Sequence, residues 1–217
     1  MKNISIIIPC CNFECLKSCT KSIIDYTDLE KYDIDIIASL NGCSIESIDY
    51  IKSLGNRFRF VWVDQRIGLC RASNLAYSMC DSKYLIRMDE DVAILDWGNN
   101  IWVDMMLNPF SDEKTGQVGV VVHDRAEYKS AVGFLTMIPK NVLKQIGGWD
   151  NRFDDLRHVE LTTMAEDTDI SIRIQKAGYE IRQAAYCVEG KSMPFNGNFP
   201  ILHISNGSWM SVSFPSN

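Results

Sequence analysis

The chain has 217 residues, 46% of them hydrophobic and 23% charged, which gives room for one sizeable core of ordinary soluble composition. A net charge of -6 and a pI of about 5.1 exclude a broad basic face for nucleic acid. No apolar run approaches a transmembrane span and the stretch before Pro9 is too short for a signal peptide, so a cytoplasmic location is expected, with peripheral membrane association left open.

In chain order, Ile4 to Ile8, stopped by Pro9, predicts a buried strand. Residues 13–26 place Leu16, Cys19, Ile23 and Ile24 on one helical face. Ile34 to Ala38 predicts a second strand, ending in the turn pair Asn41-Gly42. Residues 44–54 repeat the helical pattern through Ile45, Ile48 and Ile51, with Ser44 as N-cap. Arg59 to Val63 is a third strand, Leu69, Ala72, Ala76 and Met79 line a helix, and Tyr84 to Met88 is a fourth strand. Such alternation implies a parallel sheet with helices on both faces and ligands at the carboxyl ends of the strands.

The second half is less regular. Trp97, Ile101 and Met105 suggest a helix; Gln117 to Val122 and Val132 to Ile138 suggest strands. Pro139 fits the first position of a short helix through Ile146. Residues 150–165 show no period and are expected to form a surface loop. Thr168 to Ala177 predicts a helix stopped by Gly178, and Tyr179 to Cys187 and Pro200 to Ile204 predict strands. The eight cysteines are expected reduced and mostly buried; Cys11, Cys15 and Cys19 recur at helical spacing, but no CxxC pair points to a metal cluster.

Asp89, Glu90 and Asp91 carry the most chemistry. They follow the fourth strand, and alternate side chains on a strand share a face, so Asp89 and Asp91 can converge while Glu90 points away. Two carboxylates at a strand end repel unless a cation lies between them, and a divalent metal takes such hard oxygen ligands. In an acidic chain, that cation would bridge to an anionic diphosphate.

These motifs, in order from about Ile4 to Ser208, resemble the family 2 glycosyltransferases of the GT-A fold. The segments that carry the resemblance are Ile6 to Asn12 (IIIPCCN), Asn41-Gly42, Gly68 to Asn74 (GLCRASN), the DXD motif Asp89 to Asp91, Gly147 to Asp154 (GGWDNRFD) and Glu166 to Arg173 (EDTDISIR). Each is weak alone, and together in this spacing they are specific.

The resemblance implies a single GT-A domain over residues 1–217: a Rossmann-like, mostly parallel central sheet with helices on both faces and a smaller acceptor-side sheet. Residues 1–91 would bind the nucleotide sugar and residues 92–217 the acceptor. It implies a metal-dependent, inverting transfer from a nucleoside diphosphate sugar, UDP-sugar favoured, to a hydroxyl of a glycan, lipid or protein. Asp91, with Asp89 and a C-terminal His203, would hold Mn2+ or Mg2+. Asp167 would be the general base, its alternative role being to cap the helix that follows, with Glu166 beside the acceptor. Pro9, Cys10, Cys11, Asn12, Leu40, Asn41, Arg71 and Glu90 would face the donor, and Trp149 and Asp150 the acceptor. Leu40 stands where many members carry a uracil-reading aspartate, which keeps guanosine and thymidine donors open. Two other functions are weighed against transfer. A sugar nucleotidyltransferase usually needs a glycine- and lysine-rich phosphate loop, which Pro9 to Glu14 lacks, and a non-catalytic carbohydrate- or nucleotide-binding module would not need both Asp91 and Asp167.

Overall fold

The computed structural model describes residues 2–123, 129–155, 165–188, 191–194, 198–205 and 208–213. The first half runs β1 (Lys2–Cys10), α1 (Phe13–Tyr26), β2 (Ile34–Asn41), α2 (Ile45–Ser53), β3 (Phe58–Val63), α3 (Leu69–Ser78) and β4 (Ser82–Met88). Then come β5 (Val92–Ile94), α4 (Ile101–Leu107), a 3-10 turn (Asn108–Ser111), β6 (Thr115–His123), β7 (Lys129–Pro139), α5 (Lys140–Ile146), α6 (Arg152–Asp155) and α7 (Ala165–Lys176). The chain ends in β8 (Glu180–Gln183), β9 (Ala185–Val188), β10 (Lys191–Pro194), β11 (Asn198–Ser205) and β12 (Ser208–Ser213).

The main sheet has the order β3-β2-β1-β4-β7-β6-β8, and β7 alone runs against the rest. Its two faces follow from strand alternation. Ile4, Ile6 and Ile8, beside Ile34, Ile36 and Ile86, pack on α1 through Leu16, Cys19 and Ile23 and on α4 through Trp102 and Met106. Ile7, Ile37 and Leu85 point the other way, onto α3, α5 and α7 through Ala76, Leu143, Ile170 and Ile174. A second sheet, β12-β11-β5, joins the C-terminal region to the segment just after β4.

The first-half elements match the sequence pattern to within a few residues, but β1 runs through Pro9 to Cys10, and Ile24 and Ile45, expected on apolar helix faces, are exposed; the second half departs further. Trp97 lies outside α4 and is partly exposed. Pro139 ends β7 and sits at the N-cap of α5 rather than inside it. Within the expected 150–165 loop, residues 152–155 form one helical turn, while 156–164 lie outside the described residues. α7 begins at Ala165, one turn earlier than expected. Its end is the expected one: Gly178 is left-handed (φ 94°), and the Tyr179 N–H reaches back to the Ile174 carbonyl. Ala184 splits the expected 179–187 strand into β8 and β9. Ser44 precedes α2 without a side-chain capping bond. Of the seven cysteines with described side chains, Cys10, Cys19, Cys43, Cys70 and Cys80 are buried and all are free thiols. Among the described residues, no helix is long and apolar enough to cross a membrane.

One polar cluster is built into the α3 side of the sheet. Asp35, 1% exposed, accepts a 2.6 Å bond from the Ser5 hydroxyl and pairs with the Arg59 guanidinium, which also donates to the Met79 carbonyl at 3.0 Å. This ties β1, β2 and β3 to the end of α3. Replacing Asp35 with Ala strands two donors, and Asp35→Ala is expected to cost about 2 kcal/mol in urea unfolding. An unchanged midpoint would show that the cluster is incidental to stability.

Candidate active site

Asp89 leaves the end of β4, where its N–H bonds the Phe134 carbonyl of β7 at 2.9 Å. Asp91 lies two residues on, just before β5. β11 pairs with β5 so that His203 sits opposite Val92. The pairing brings the imidazole to the carboxylates: His203 Nε2 is 3.4 Å from Asp91 Oδ1, and the ligand atoms of Asp89, Asp91 and His203 all lie within 4.8 Å of one another. The His203 ring also stacks on Phe134, with centroids 4.6 Å apart. Two carboxylates and an imidazole at this spacing match the donor chemistry of Mn2+ or a similar divalent ion. The sequence-expected metal set is thus one cluster.

Arg87, which the sequence reading treated only as part of a strand, is the centre of the site. It is 2% exposed. Its Nη2 donates to Asp89 Oδ1 at 2.6 Å and its Nη1 to Asp167 Oδ1 at 3.0 Å. Asp167 lies in the first turn of α7, inside the helix, so it does not cap it. Its second oxygen accepts the Gly133 N–H of β7 at 2.8 Å. A Cβ on residue 133 would fall 1.9 Å from Asp167 Oδ1, so the carboxylate seats only because that residue is glycine. Strand alternation puts Arg87 on the side of Asp89 at the end of β4, while Asp91 lies in the turn closed by the Val92 N–H on the Asp89 carbonyl, and a charged residue in an apolar buried strand signals a buried partner.

The electrostatics follow from this packing. Burial pushes the Asp89 carboxyl up to about 6, against the pull of Arg87 and with Glu90 and Asp91 adding to the rise. Asp89 is still about a quarter exposed to solvent, so water or a cation can reach it. Burial raises Asp167 too, opposed by Arg87 and the Gly133 N–H. At His203 burial works against the charged ring, but Asp91 and Asp89 outweigh it and the net shift is upward.

Other expected site residues serve the scaffold. Glu90 lies in the turn after β4 rather than on a strand, and accepts the Cys11 N–H at 3.2 Å, which fastens the β1–α1 turn. Pro9 and Cys10 are buried. Asn12 caps α1, taking the N–H groups of Glu14 and Cys15 at 3.0 and 3.2 Å. Leu40 is wholly buried in the core, so its side chain cannot face a donor base. The Asn41 amide holds the turn before α3, accepting from Ile67 N at 2.7 Å and donating to the Gly68 carbonyl at 3.2 Å. Arg71 pairs with Asp155 at 3.0 and 3.1 Å, on the wall of a cleft of about 530 Å3 bounded by Gln65 to Gly68 and Asp154. Asp154 caps α3 by accepting from Cys70 N and Arg71 N at 2.9 and 2.8 Å. Trp149 is a core residue at 4% exposure rather than a sugar platform. Its backbone is gripped by the Asn74 amide at 2.7 and 3.0 Å. Asp150 is engaged by Arg152, which holds its carboxyl down at about 2. Glu166, beside Asp167, lies within electrostatic reach of Arg87. A larger apolar cleft of about 670 Å3 lies toward the start of β4, at Tyr84, Met105 and Phe110, and contains none of these groups.

With this geometry in place, comparison with known proteins identifies the family. The sequence profile of Glycosyl transferase family 2 matches residues 5–159. The chain belongs to this family. No curated protein matches it. Among solved structures, a mannosyltransferase from Pyrobaculum calidifontis in complex with GDP-Man and Mn2+ superposes with a TM-score of 0.65 at 15% identity. That match covers 83% of this chain and 54% of the other. GalNAc-T7 with UDP, GalNAc and Mn2+ gives 0.66 at 16% identity, covering 88% and 45%. S. aureus TarS residues 1–349 give 0.63 at 13%, covering 83% and 57%. These likenesses establish the GT-A fold, and the chain spans about half the length of the structures it resembles.

A pH dependence follows for the family 2 chain's acidic cluster. Protons and a cation compete for the same atoms. Asp89 takes up its proton as the pH falls through about 6, and His203, raised in the same sense, is charged at low pH and cannot ligate. Mn2+ affinity, measured by calorimetry, should therefore fall between about pH 7 and pH 5. A flat profile would show that these groups do not hold the ion.

Proposed function

We propose that this chain transfers a sugar, with inversion, from a nucleoside diphosphate sugar to a hydroxyl of a glycan, lipid or protein acceptor. The observation that carries the reading is the Asp89–Asp91–His203 cluster at the strand ends, joined through Arg87 to a second buried carboxylate, Asp167. Residues 1–91 form the donor half and residues 92–217 the acceptor half of one GT-A domain. A divalent cation, Mn2+ or Mg2+, held by Asp89, Asp91 and His203 would supply positive charge against the diphosphate as it leaves.

The remaining work falls to protein groups. Asp167 takes the proton of the incoming hydroxyl. Each carboxylate oxygen has a second lone pair besides the one bonded to Arg87 or Gly133, so both bonds can persist while a proton is accepted. Burial makes that proton easier to hold, which suits a base. Inversion requires the base on the face opposite the leaving group, and a carboxylate separated from the metal ligands by a guanidinium is compatible with it. Glu166, next to the base, is assigned to the acceptor side. The uridine preference rests on the family resemblance, since Leu40 is buried and the Asn41 amide holds a turn. Neither side chain is on offer to a uracil ring.

Titration of UDP, GDP and dTDP, each with Mn2+ and with chelator, tests the donor site. One nucleotide should bind only with Mn2+, and Asp91→Asn should remove that binding from a folded protein. Once a donor is known, Asp167→Asn should slow transfer by about 100-fold or more at saturating Mn2+ while nucleotide binding persists. Full transfer by Asp167→Asn would remove Asp167 from the base role, and absence of nucleotide binding by the folded chain would overturn the donor site.

A further inference from the structure

A buried arginine shared by two carboxylates has a consequence beyond neutralising them. Arg87 is almost fully enclosed, and its Nε finds no hydrogen-bond partner among the described residues. Its orientation is therefore set by the two acids at its tip, Asp89 at 2.6 Å and Asp167 at 3.0 Å. On the Asp167 side there is no slack. The carboxylate is fixed by the Gly133 N–H at 2.8 Å, and even a methyl group at position 133 would collide with Asp167 and with Arg87 Nη1. On the Asp89 side the carboxylate is partly open, and the same acid belongs to the Asp89–Asp91–His203 cluster. A cation arriving at that cluster meets a resident cation, the guanidinium, already bonded to one of its ligands.

We propose that Arg87 is a positioning residue that couples cation occupancy at Asp89 to the Asp167 carboxylate. The inference rests on reading the cluster as a cation site. When a cation draws the Asp89 carboxylate, the Arg87 charge is left to Asp167 alone. When Asp167 loses its charge, Arg87 binds Asp89 more firmly and competes with the incoming cation. Coupling of this kind is reciprocal, so it can be read from the metal side alone without any acceptor or transfer assay.

The test is a double-mutant cycle on Mn2+ affinity, read by calorimetry at neutral pH with folding checked by circular dichroism. Asp167→Asn should weaken Mn2+ binding by about fivefold or more in the otherwise unaltered chain. In the Arg87→Gln background, where the competing charge is gone, the same change should leave affinity nearly unchanged. Should Arg87→Gln fail to fold, Arg87→Met, which also removes the charge and keeps a long side chain, serves the cycle. An equal loss in both backgrounds means a through-space charge effect and overturns the coupling. So does no loss in either. Failure of the unaltered chain to bind Mn2+ overturns the cation site itself, which separates that outcome from failure of the coupling.

Discussion

The buried guanidinium of Arg87 is the constraint on which this site depends. A charge at 2% exposure costs several kcal/mol unless it is paired and hydrogen-bonded. Asp167 is enclosed beside it, and Asp89, though a quarter exposed, is bonded to it at 2.6 Å. The three groups therefore exist as a set, and the set spans the fold: Arg87 from β4, Asp89 from its end, Asp167 from α7 and the Gly133 N–H from β7. The antiparallel insertion of β7 beside β4 makes this possible, because it presents a backbone donor and a glycine where α7 crosses the sheet.

A second theme is that much of what looks like ligand chemistry in the sequence is joinery between the two halves. Asp154, from the Gly147 to Asp154 segment, caps α3 of the first half, and Gly68 has no side chain where Asp154 lies. Asn74 of α3 grips the Trp149 backbone in return. Asn41 pins the turn that starts α3. These bonds align the end of β2, the start of α3 and the segment after α5 around one cleft.

The first ninety residues were legible because each element there obeys one period. Strand faces alternate, helix faces repeat, and Gly42 punctuates them, whereas Pro9 was expected to stop β1 and instead pairs within it. Asp89 and Asp91 were legible as two acids at a strand end, although a turn rather than strand alternation brings them together. His203 could be nominated only by family likeness, since its approach to Asp91 depends on pairing between β11 and a three-residue strand too short to show a pattern. Leu40 and Trp149 were assigned by motif position, and packing overrode motif: both side chains fill cores. The start of α7 was missed because Glu166 and Asp167 are charged and a lone Ala165 before them makes no apolar stripe. Arg87 was missed although the signal was present, a lone charge in the apolar run from Tyr84 to Met88 on the same face as Asp89.

The most direct test of this arrangement is pulsed electron paramagnetic resonance of Mn2+ bound to the chain. The account predicts a nitrogen coupling from one imidazole, present in the unaltered protein and lost in His203→Gln, because β11–β5 pairing delivers that ring to Asp91. Bound Mn2+ with no nitrogen coupling, or with a coupling that survives His203→Gln, would contradict the ligand set and the strand pairing that builds it.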